Sequence, residues 1–226
     1  LKILLLGYSN LAKKRIINHF LKKKYTVEVA SISHKKKIKN ISMQYSSYNT
    51  ALKKSLANLI YISLPNSMHY KWAHKALSLG YHVVVDKPLC NTKIELNRLI
   101  NLSFKNKKLL VEATFFNYHE QFTKTLNIIG NLNNISQIHC DFNIPMPHKS
   151  SLLRSIYFNG GALMDMGPYA ASIARIFCNE KIIYKNFYLS KNKKNLIYSF
   201  KFLINYKSKI LTGKFKFGGA YKNNLT

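Results

Sequence analysis

Lys87 stands in Asp86-Lys87-Pro88, directly after Val83, Val84 and Val85, and a second polar break, Leu64-Pro65-Asn66, follows the apolar run Leu59, Ile60, Tyr61 and Ile62. Neither run shows polar alternation, as expected of strands covered on both faces. Between them Met68, Trp72, Ala76 and Leu79 recur at helical spacing, and Gly80 stands where a helix takes a left-handed cap. Residues 58–89 therefore read as strand, helix, strand. In such a crossover both loops open at the carboxyl ends of parallel strands, where these sheets bind ligands. The chemistry Lys87 offers there is that of an ammonium, which hydrogen-bonds an oxygen and stabilises negative charge as it develops.

A phosphate-type turn comes first in the chain. Gly7-Tyr8-Ser9-Asn10-Leu11-Ala12 follows an apolar strand over residues 2–6 and opens a helix whose inward face is expected to carry Leu11, Ile16 and Phe20. In the dinucleotide fingerprint G-x-G-x-x-G the three glycines make the turn, admit the pyrophosphate and allow close helix packing. Here Gly7, Ser9 and Ala12 hold those places. Ala is tolerated at the third; Ser9 adds a side chain where phosphate approaches, though its hydroxyl is able to donate to that phosphate. A tight strand-to-helix turn without any ligand is the alternative. The second strand spans residues 26–33, and at its end NAD enzymes present an acid to the ribose. This chain has Ser33, His34, Lys35 and Lys36 instead. A hydroxyl and cations suit a 2′-phosphate, so NADP is expected over NAD; the alternative is one more solvated lysine run.

Ser63-Leu64-Pro65-Asn66, His69, Gly80-Tyr81-His82-Val83 and Asp86-Lys87-Pro88 together resemble the pattern of the Gfo/Idh/MocA oxidoreductases, which use NAD(P) on sugars, inositols and sugar nucleotides. Asp86 stands where that family usually has Glu. Residues 112–119 resemble the family segment that crosses into the second domain and lines the substrate pocket. Asn117 replaces a frequent Arg there, and His119 is either a substrate contact or an interdomain histidine. Residues 160–169 resemble G-G-x-L-x-D-x-G-x-H, with Tyr169 in the place of His. On a helix Asp165 and Tyr169, four apart, share a face, while Pro168 is expected to kink the helix or delay its start. Read without the resemblance, Tyr169 is a core aromatic and Asp165 a cap.

The resemblance implies cofactor contacts from Gly7, Ser9, Asn10, Leu11, Ser33, His34, Lys35, Ser63, Leu64, Pro65, Asn66, His69, Asp86 and Lys87. It implies substrate contacts from Lys87, Asn117, His119, Asp165 and Tyr169, and no metal. Within that set Lys87, Asp165 and Tyr169 are the catalytic residues. Tyr169 would exchange the substrate hydroxyl proton; an unperturbed phenol has a pKa near ~10, so a base of this kind needs a neighbouring cation such as Lys87. Asp165 would orient Lys87 or a substrate hydroxyl.

The elements that must position these residues give an α/β chain: a Rossmann domain over residues 1–114 and a smaller α+β domain over residues 115–226. A short helix is expected over residues 48–57, and residues 35–47 carry no regular pattern. The amphipathic stretch 92–107 directs Ile94, Leu96, Leu99, Ile100 and Phe104 toward the sheet, and residues 109–113 close that sheet. A strand over residues 135–144 and three more over 182–189, 196–206 and 210–217 predict a mostly antiparallel second sheet. Relatives of this family continue beyond Thr226, so that sheet is expected to be unfinished, to leave an apolar face and a strand edge uncovered, and to drive self-association and homo-oligomers. Residues 217–226 also resemble a segment of members linked to surface-polysaccharide synthesis.

Composition excludes less than its charge suggests. The chain has 226 residues, 47% hydrophobic, enough for a core. Against 8 Asp and Glu stand 36 Lys and Arg, a formal charge of +28 that raises a nucleic-acid reading. The excess is scattered lysine, with Arg15, Arg98, Arg154 and Arg175 the only arginines, and no nucleic-acid motif accompanies it. A sugar or sugar nucleotide, and neither nucleic acid nor membrane, is the expected partner. A catalytically silent binding protein of the same fold is the other rival. No apolar run reaches membrane-span length, and Cys90, Cys140 and Cys178 lack paired spacing and read as buried thiols of a cytoplasmic protein.

Overall fold

The computed structural model describes residues 1–178 and 184–226. The chain divides into two units, Leu1–Ala113 and Thr114–Thr226.

In the first unit β1 (Lys2–Leu6), β2 (Thr26–Ala30), β3 (Met43–Tyr45), β4 (Leu59–Ile62), β5 (His82–Val85) and β6 (Leu110–Glu112) form one sheet in the order β3-β2-β1-β4-β5-β6. Every neighbouring pair is parallel. The strands read as unbroken apolar runs because helices cover both faces. Leu4 and Leu6 pack with Ile60, Ile62, Ala73, Leu77 and Leu99, while Ile3 and Leu5 pack with Ala12, Ile17, Val27 and Val29. Ile3, Leu4, Leu5 and Leu6 are all 0% exposed, and each such side chain stabilises the fold by ~1.5–3 kcal/mol relative to an exposed one. Strand order reverses between β1 and β4, so the loops after these two strands open the ligand crevice of the sheet.

Three local expectations need correction. The first helix begins with a π turn over Ala12–Ile16 before α1 (Ile17–Lys22). Its extra residue per turn moves the inward face to Ala12 and Ile17, leaving Leu11 42% exposed and Ile16 and Phe20 only partly buried. Residues 35–47 contain β3, whose three residues are too few to show a periodicity. The stretch 92–107 forms α4 (Lys93–Asn106) with a Thr92–Glu95 capping box, but it packs chiefly on α3 (Asn66–Ser78). Only Leu99 is fully buried; Leu96 and Leu102 are partly covered, and Ile94 and Phe104 stand 66% and 78% exposed. The helices α2 (Tyr48–Lys54) and α3 form where expected, and α3 ends with Tyr81 N–H on Ala76 O and Gly80 N–H on Leu77 O.

The second unit holds α5 (Glu120–Ile129), β7 (Gln137–Ile144), α6 (Ala162–Phe177), β8 (Tyr184–Lys191), β9 (Ile197–Tyr206), β10 (Lys209–Phe217) and β11 (Lys222–Leu225). Sheet order is β11-β7-β10-β9-β8. All pairs are antiparallel except β10 with β7, so the sheet is mixed. Ile182 and Ile183, the expected start of β8, lie outside the described residues. One face gathers Phe200, Phe202, Ile204, Leu211 and Phe215 against Met166, Ile173 and Phe177 of α6. Strand register gives the other face the row Lys201, Lys214, Asp141 and Asn224. Helix α6 covers much of the apolar face, and a cavity of about 1000 Å³ opens on the rest of it between α5, α6, β7 and β11. Among the described residues no helix is long and apolar enough to cross a membrane.

Candidate active site

Gly7 makes the sharp turn after β1. Its φ is +101°, and a Cβ there would stand 2.1 Å from the Ser63 carbonyl oxygen, so no other residue fits where β1 and β4 end side by side. Gly7 N–H donates to Ala30 O and Ser63 N–H to Leu6 O, both at 2.9 Å, which stitches the ends of β1, β2 and β4 together. Ser9 Oγ accepts from the Ala12 N–H at 3.0 Å and lies 2.7 Å from Ser63 Oγ. Asn10 and Leu11 are exposed at the start of the helix. A turn this tight, opening directly into a helix, is what a dinucleotide pyrophosphate needs, and the residues present fit it.

At the end of β2, Ser31 Oγ accepts from the His34 N–H at 3.1 Å, and the His34 ring lies 4.6 Å from that of Tyr8. Ser33 and Lys35 are exposed beside it. The one carboxylate on β2, Glu28, is buried and held by Lys2 Nζ at 2.7 Å and Tyr45 Oη at 3.3 Å. The loop end of β2 therefore presents a hydroxyl, an imidazole and a cation.

The loops after β4 and β5 are tied to each other. His69, 0% exposed, has Nδ1 2.7 Å from Pro88 O and Nε2 2.7 Å from Leu64 O. A ring buried between two carbonyls cannot touch a cofactor, so His69 holds the loops rather than contacting the ligand as expected. Asn91 Nδ2 donates to Asn66 O at 3.3 Å, and Leu89 N–H donates to Glu112 Oε2 at 2.8 Å. Asp86 accepts from Tyr61 Oη and from Ser63 Oγ, each at 2.6 Å. Ser63 is 3% exposed, while Asp86, like Leu64, Pro65, Asn66 and Lys87, is partly exposed. The Lys87–Pro88 peptide is cis. Tyr61 and Glu112 carry much of this arrangement, whereas in the sequence Tyr61 reads only as a member of a strand and Glu112 only as the start of the 112–119 segment, because neither pattern shows a partner distant in the chain.

In the second unit α6 starts at Ala162, not late, and passes through Pro168, which leaves the Met164 carbonyl without its helical partner. Gly160 permits this start, because a Cβ there would lie 2.5 Å from Leu153 O. Asp165 falls in the first turn, where a carboxylate complements the helix dipole, and Tyr169 follows on the same face. The Tyr169 ring lies edge-on to Phe116 at 5.7 Å and Phe142 at 5.8 Å and lines the cavity. It is thus both a packed aromatic and a wall of a hollow. His119 caps α5, its Nδ1 accepting from Gln121 N–H at 3.2 Å, and lines the same cavity. Asn117, in the turn Phe115–Tyr118, has a buried Oδ1 with no hydrogen-bond partner.

The cysteines are free, and only two match the expected burial: Cys140 and Cys178 are buried, Cys90 partly so. Burial pushes all three thiols up, Cys140 to about 12, which removes them as nucleophiles near neutral pH. No group of three or more His, Cys, Asp or Glu side chains among the described residues is placed to hold a metal ion.

Comparison with known proteins bears on this geometry. Residues 1–114 match the model of the oxidoreductase family with an NAD-binding Rossmann fold, GFO_IDH_MocA. An uncharacterized oxidoreductase of Rhizobium meliloti, ORF334, is 31% identical over 138 residues, 60% of this chain and 41% of its own length. The dTDP-3,4-didehydro-2,6-dideoxy-alpha-D-glucose 3-reductase of Streptomyces violaceoruber is 24% identical over 190 residues, 80% of this chain and 56% of its own. The chain thus spans about half the length of the curated relatives it matches. Among solved structures, KijD10, a 3-ketoreductase from Actinomadura kijaniata in complex with NADP and TDP-benzene, matches all of this chain and 72% of its own at a TM-score of 0.89 and 21% identity, a likeness of fold. With its parallel sheet in the order β3-β2-β1-β4-β5-β6, its Gly7 turn and its Asp86-Lys87-Pro88 loop, the chain belongs to the Gfo/Idh/MocA family of oxidoreductases with an NAD-binding Rossmann fold.

Proposed function

We propose that this chain belongs to an NAD(P)-dependent oxidoreductase acting on the carbinol or carbonyl carbon of a sugar or sugar nucleotide, with NADP(H) the preferred cofactor. The observation that carries the reading is the loop bearing Lys87, fixed at the carboxyl end of β5 by His69, Glu112 and Asp86 within a unit that matches the family throughout. The relatives support the substrate class: several are dTDP-sugar 3-reductases, and one is a D-xylose 1-dehydrogenase (NADP(+)) of Haloferax volcanii.

The cofactor, when bound, supplies or accepts the hydride. The Gly7 turn and the helix start at Asn10 and Leu11 would hold its pyrophosphate, and Ser33, His34 and Lys35 a 2′-phosphate. Leu64, Pro65 and Asn66 would lie along the crevice. Lys87 Nζ would hydrogen-bond the reacting oxygen and stabilise charge developing on it. Tyr169 Oη would give or take the hydroxyl proton, with Asp165 one helical turn before it orienting a hydroxyl. Asn117 and His119 would complete the substrate contacts.

Self-association through the second sheet belongs to the same proposal. Its edge strand β8 presents Phe187, Tyr188 and Leu189 at 56%, 63% and 48% exposure, a surface suited to pairing. So does a cytoplasmic setting, which suits three free thiols. Fluorescence titration with NADPH and NADH tests the core of the reading: tighter binding of NADPH supports it, and binding of neither overturns it. Light scattering tests the pairing, and a strictly monomeric chain would end that part.

A further inference from the structure

Two places in the first unit where this chain departs from the pattern it otherwise follows, Ser9 and Asp86, are joined through Ser63. Ser9 follows β1, Ser63 follows β4 and Asp86 follows β5, so the three side chains lie at consecutive strand ends across the point where strand order reverses. Their distances are short: 2.7 Å from Ser9 Oγ to Ser63 Oγ, and 2.6 Å from Ser63 Oγ to Asp86 Oδ2. Proton accounting gives the chain a direction. Asp86, as a carboxylate, has no proton to give, so Ser63 donates its only proton to Oδ2. Ser63 must then accept from Ser9, and Ser9, its proton spent, accepts from the Ala12 N–H at 3.0 Å. The other carboxylate oxygen accepts from Tyr61 Oη at 2.6 Å. Burial, then the Asp86 charge, pushes the Tyr61 phenol up, so it remains a donor throughout the usual pH range.

We propose that Ser9, Ser63 and Tyr61 are positioning residues that act through Asp86 to fix the Asp86-Lys87-Pro88 loop against the turn after β1, and that the Ser9 hydroxyl belongs to this relay rather than to the phosphate site. The hydroxyl at the second fingerprint position is then no lesion in a nucleotide site. It is a strut: one end rests on the first turn of the helix, the other reaches the neighbour of Lys87. Chains of hydrogen bonds ending on a charge polarise one another, which makes such a strut stiffer than its separate bonds. The proposal rests on the reading above for the importance of Lys87, but its geometry does not.

Trace acetylation with acetic anhydride, read lysine by lysine by mass spectrometry, reports the position of Lys87 with the other lysines as internal references. In Ser63→Ala the Lys87 rate should rise about threefold or more while the other lysines keep theirs, because losing a hydrogen bond to a charged group weakens the hold on one loop only. Ser63→Thr, which keeps the hydroxyl, should restore the native rate. Ser9→Gly should move Lys87 the same way, and the double variant Ser9→Gly/Ser63→Ala should equal Ser63→Ala alone, since one relay is broken only once. Tyr61→Phe, which removes a single oxygen, carries the same expectation if Ser63→Ala folds poorly. Multiplying effects of the two serine variants, an unmoved Lys87, or a rise shared by all lysines would each overturn the relay. A phosphate role for Ser9 is separately excluded if Ser9→Gly leaves the NADPH dissociation constant within about twofold, and upheld if it weakens binding about tenfold. The labelling needs neither cofactor nor substrate, so the relay stands or falls even if no nicotinamide binds.

Discussion

Lys87 and Tyr169 are held by different means. Around Lys87 the first unit places hydrogen bonds between 2.6 and 2.8 Å: Tyr61 and Ser63 on the two carboxylate oxygens of Asp86, His69 on Pro88 O and Leu89 N–H on Glu112. Around Tyr169 the second unit places rings: Phe116 and Phe142 edge-on, and behind them Phe215 stacked on Phe200 with centroids 4.8 Å apart. Hydrogen bonds are directional and individually modest, so losing one shifts a loop while the fold survives. Packing has no direction, and its loss scales with the volume removed. Damage in the first unit should therefore show as misplacement, and in the second as instability.

The largest effect should come from packing. Phe215, 1% exposed, fills the centre of the second core, and Phe215→Ala should cost about 4 kcal/mol of that unit's stability. Denaturant unfolding would measure it, with the NADPH dissociation constant staying within about twofold; a cost under about 1 kcal/mol would erase the contrast. Next comes the chemistry itself. Lys87→Ala and Tyr169→Phe should each lower turnover about 100-fold or more, roughly 3 kcal/mol, with cofactor affinity largely kept, because both groups act mainly in the transition state. Turnover near the native value in either variant would remove that residue from the mechanism.

Cofactor choice ranks third. Lys35→Glu should shift the ratio of NADPH to NADH dissociation constants about tenfold toward NADH, by placing an acid where the chain now has a cation. An unchanged ratio would assign Lys35 to the solvated surface.

The smallest effect concerns β11, tied to β7 by Lys222 Nζ on Asp141 Oδ2 at 2.7 Å. Burial raises the Asp141 carboxyl, but the Lys222 hydrogen bond and charge, with Lys214 and His139, outweigh it and hold the group below its ordinary range. A depressed carboxyl stabilises the fold above its unfolded pKa, near ~4, and loses that contribution as pH falls further. Lys222 is half exposed, so Lys222→Ala should cost no more than about 1 kcal/mol at pH 7. Native and variant stabilities should converge below about pH 3; a gap that persists there would mean the link is not electrostatic.

Much of this was legible in the residues themselves. Leu4 to Leu6, Ile60 to Ile62 and Val83 to Val85 are strands between two helical layers, and their unbroken apolar runs say so because both faces are buried, apart from a partly buried Val84. Gly80 ended a helix, as capping chemistry dictates. Short or compensated features were not legible: β3 has three residues, the π turn displaces Leu11, and β7 pairs in parallel with a strand some seventy residues later. Of the two outcomes expected from Pro168, a kink or a late start, α6 does not take the second: it starts at Ala162, because Pro168 removes one bond from a helix whose inward face is buried from Ala162 to Phe177.

What the sequence alone determined is therefore the local and the periodic: which segments are strands or helices, that the first unit is a nucleotide-type parallel sheet, and that a lysine ends one of its strands. What only the tertiary structure decided is the duty of each polar side chain near that lysine. His69 reads as a ligand contact and is a buried brace between two carbonyls; Ser9 and Asp86 read as departures and meet through Ser63, across 54 and 23 residues of chain. No local pattern encodes such meetings, because they depend on which strand ends the fold sets side by side, and a hydrogen bond is fixed by that proximity and not by spacing along the chain.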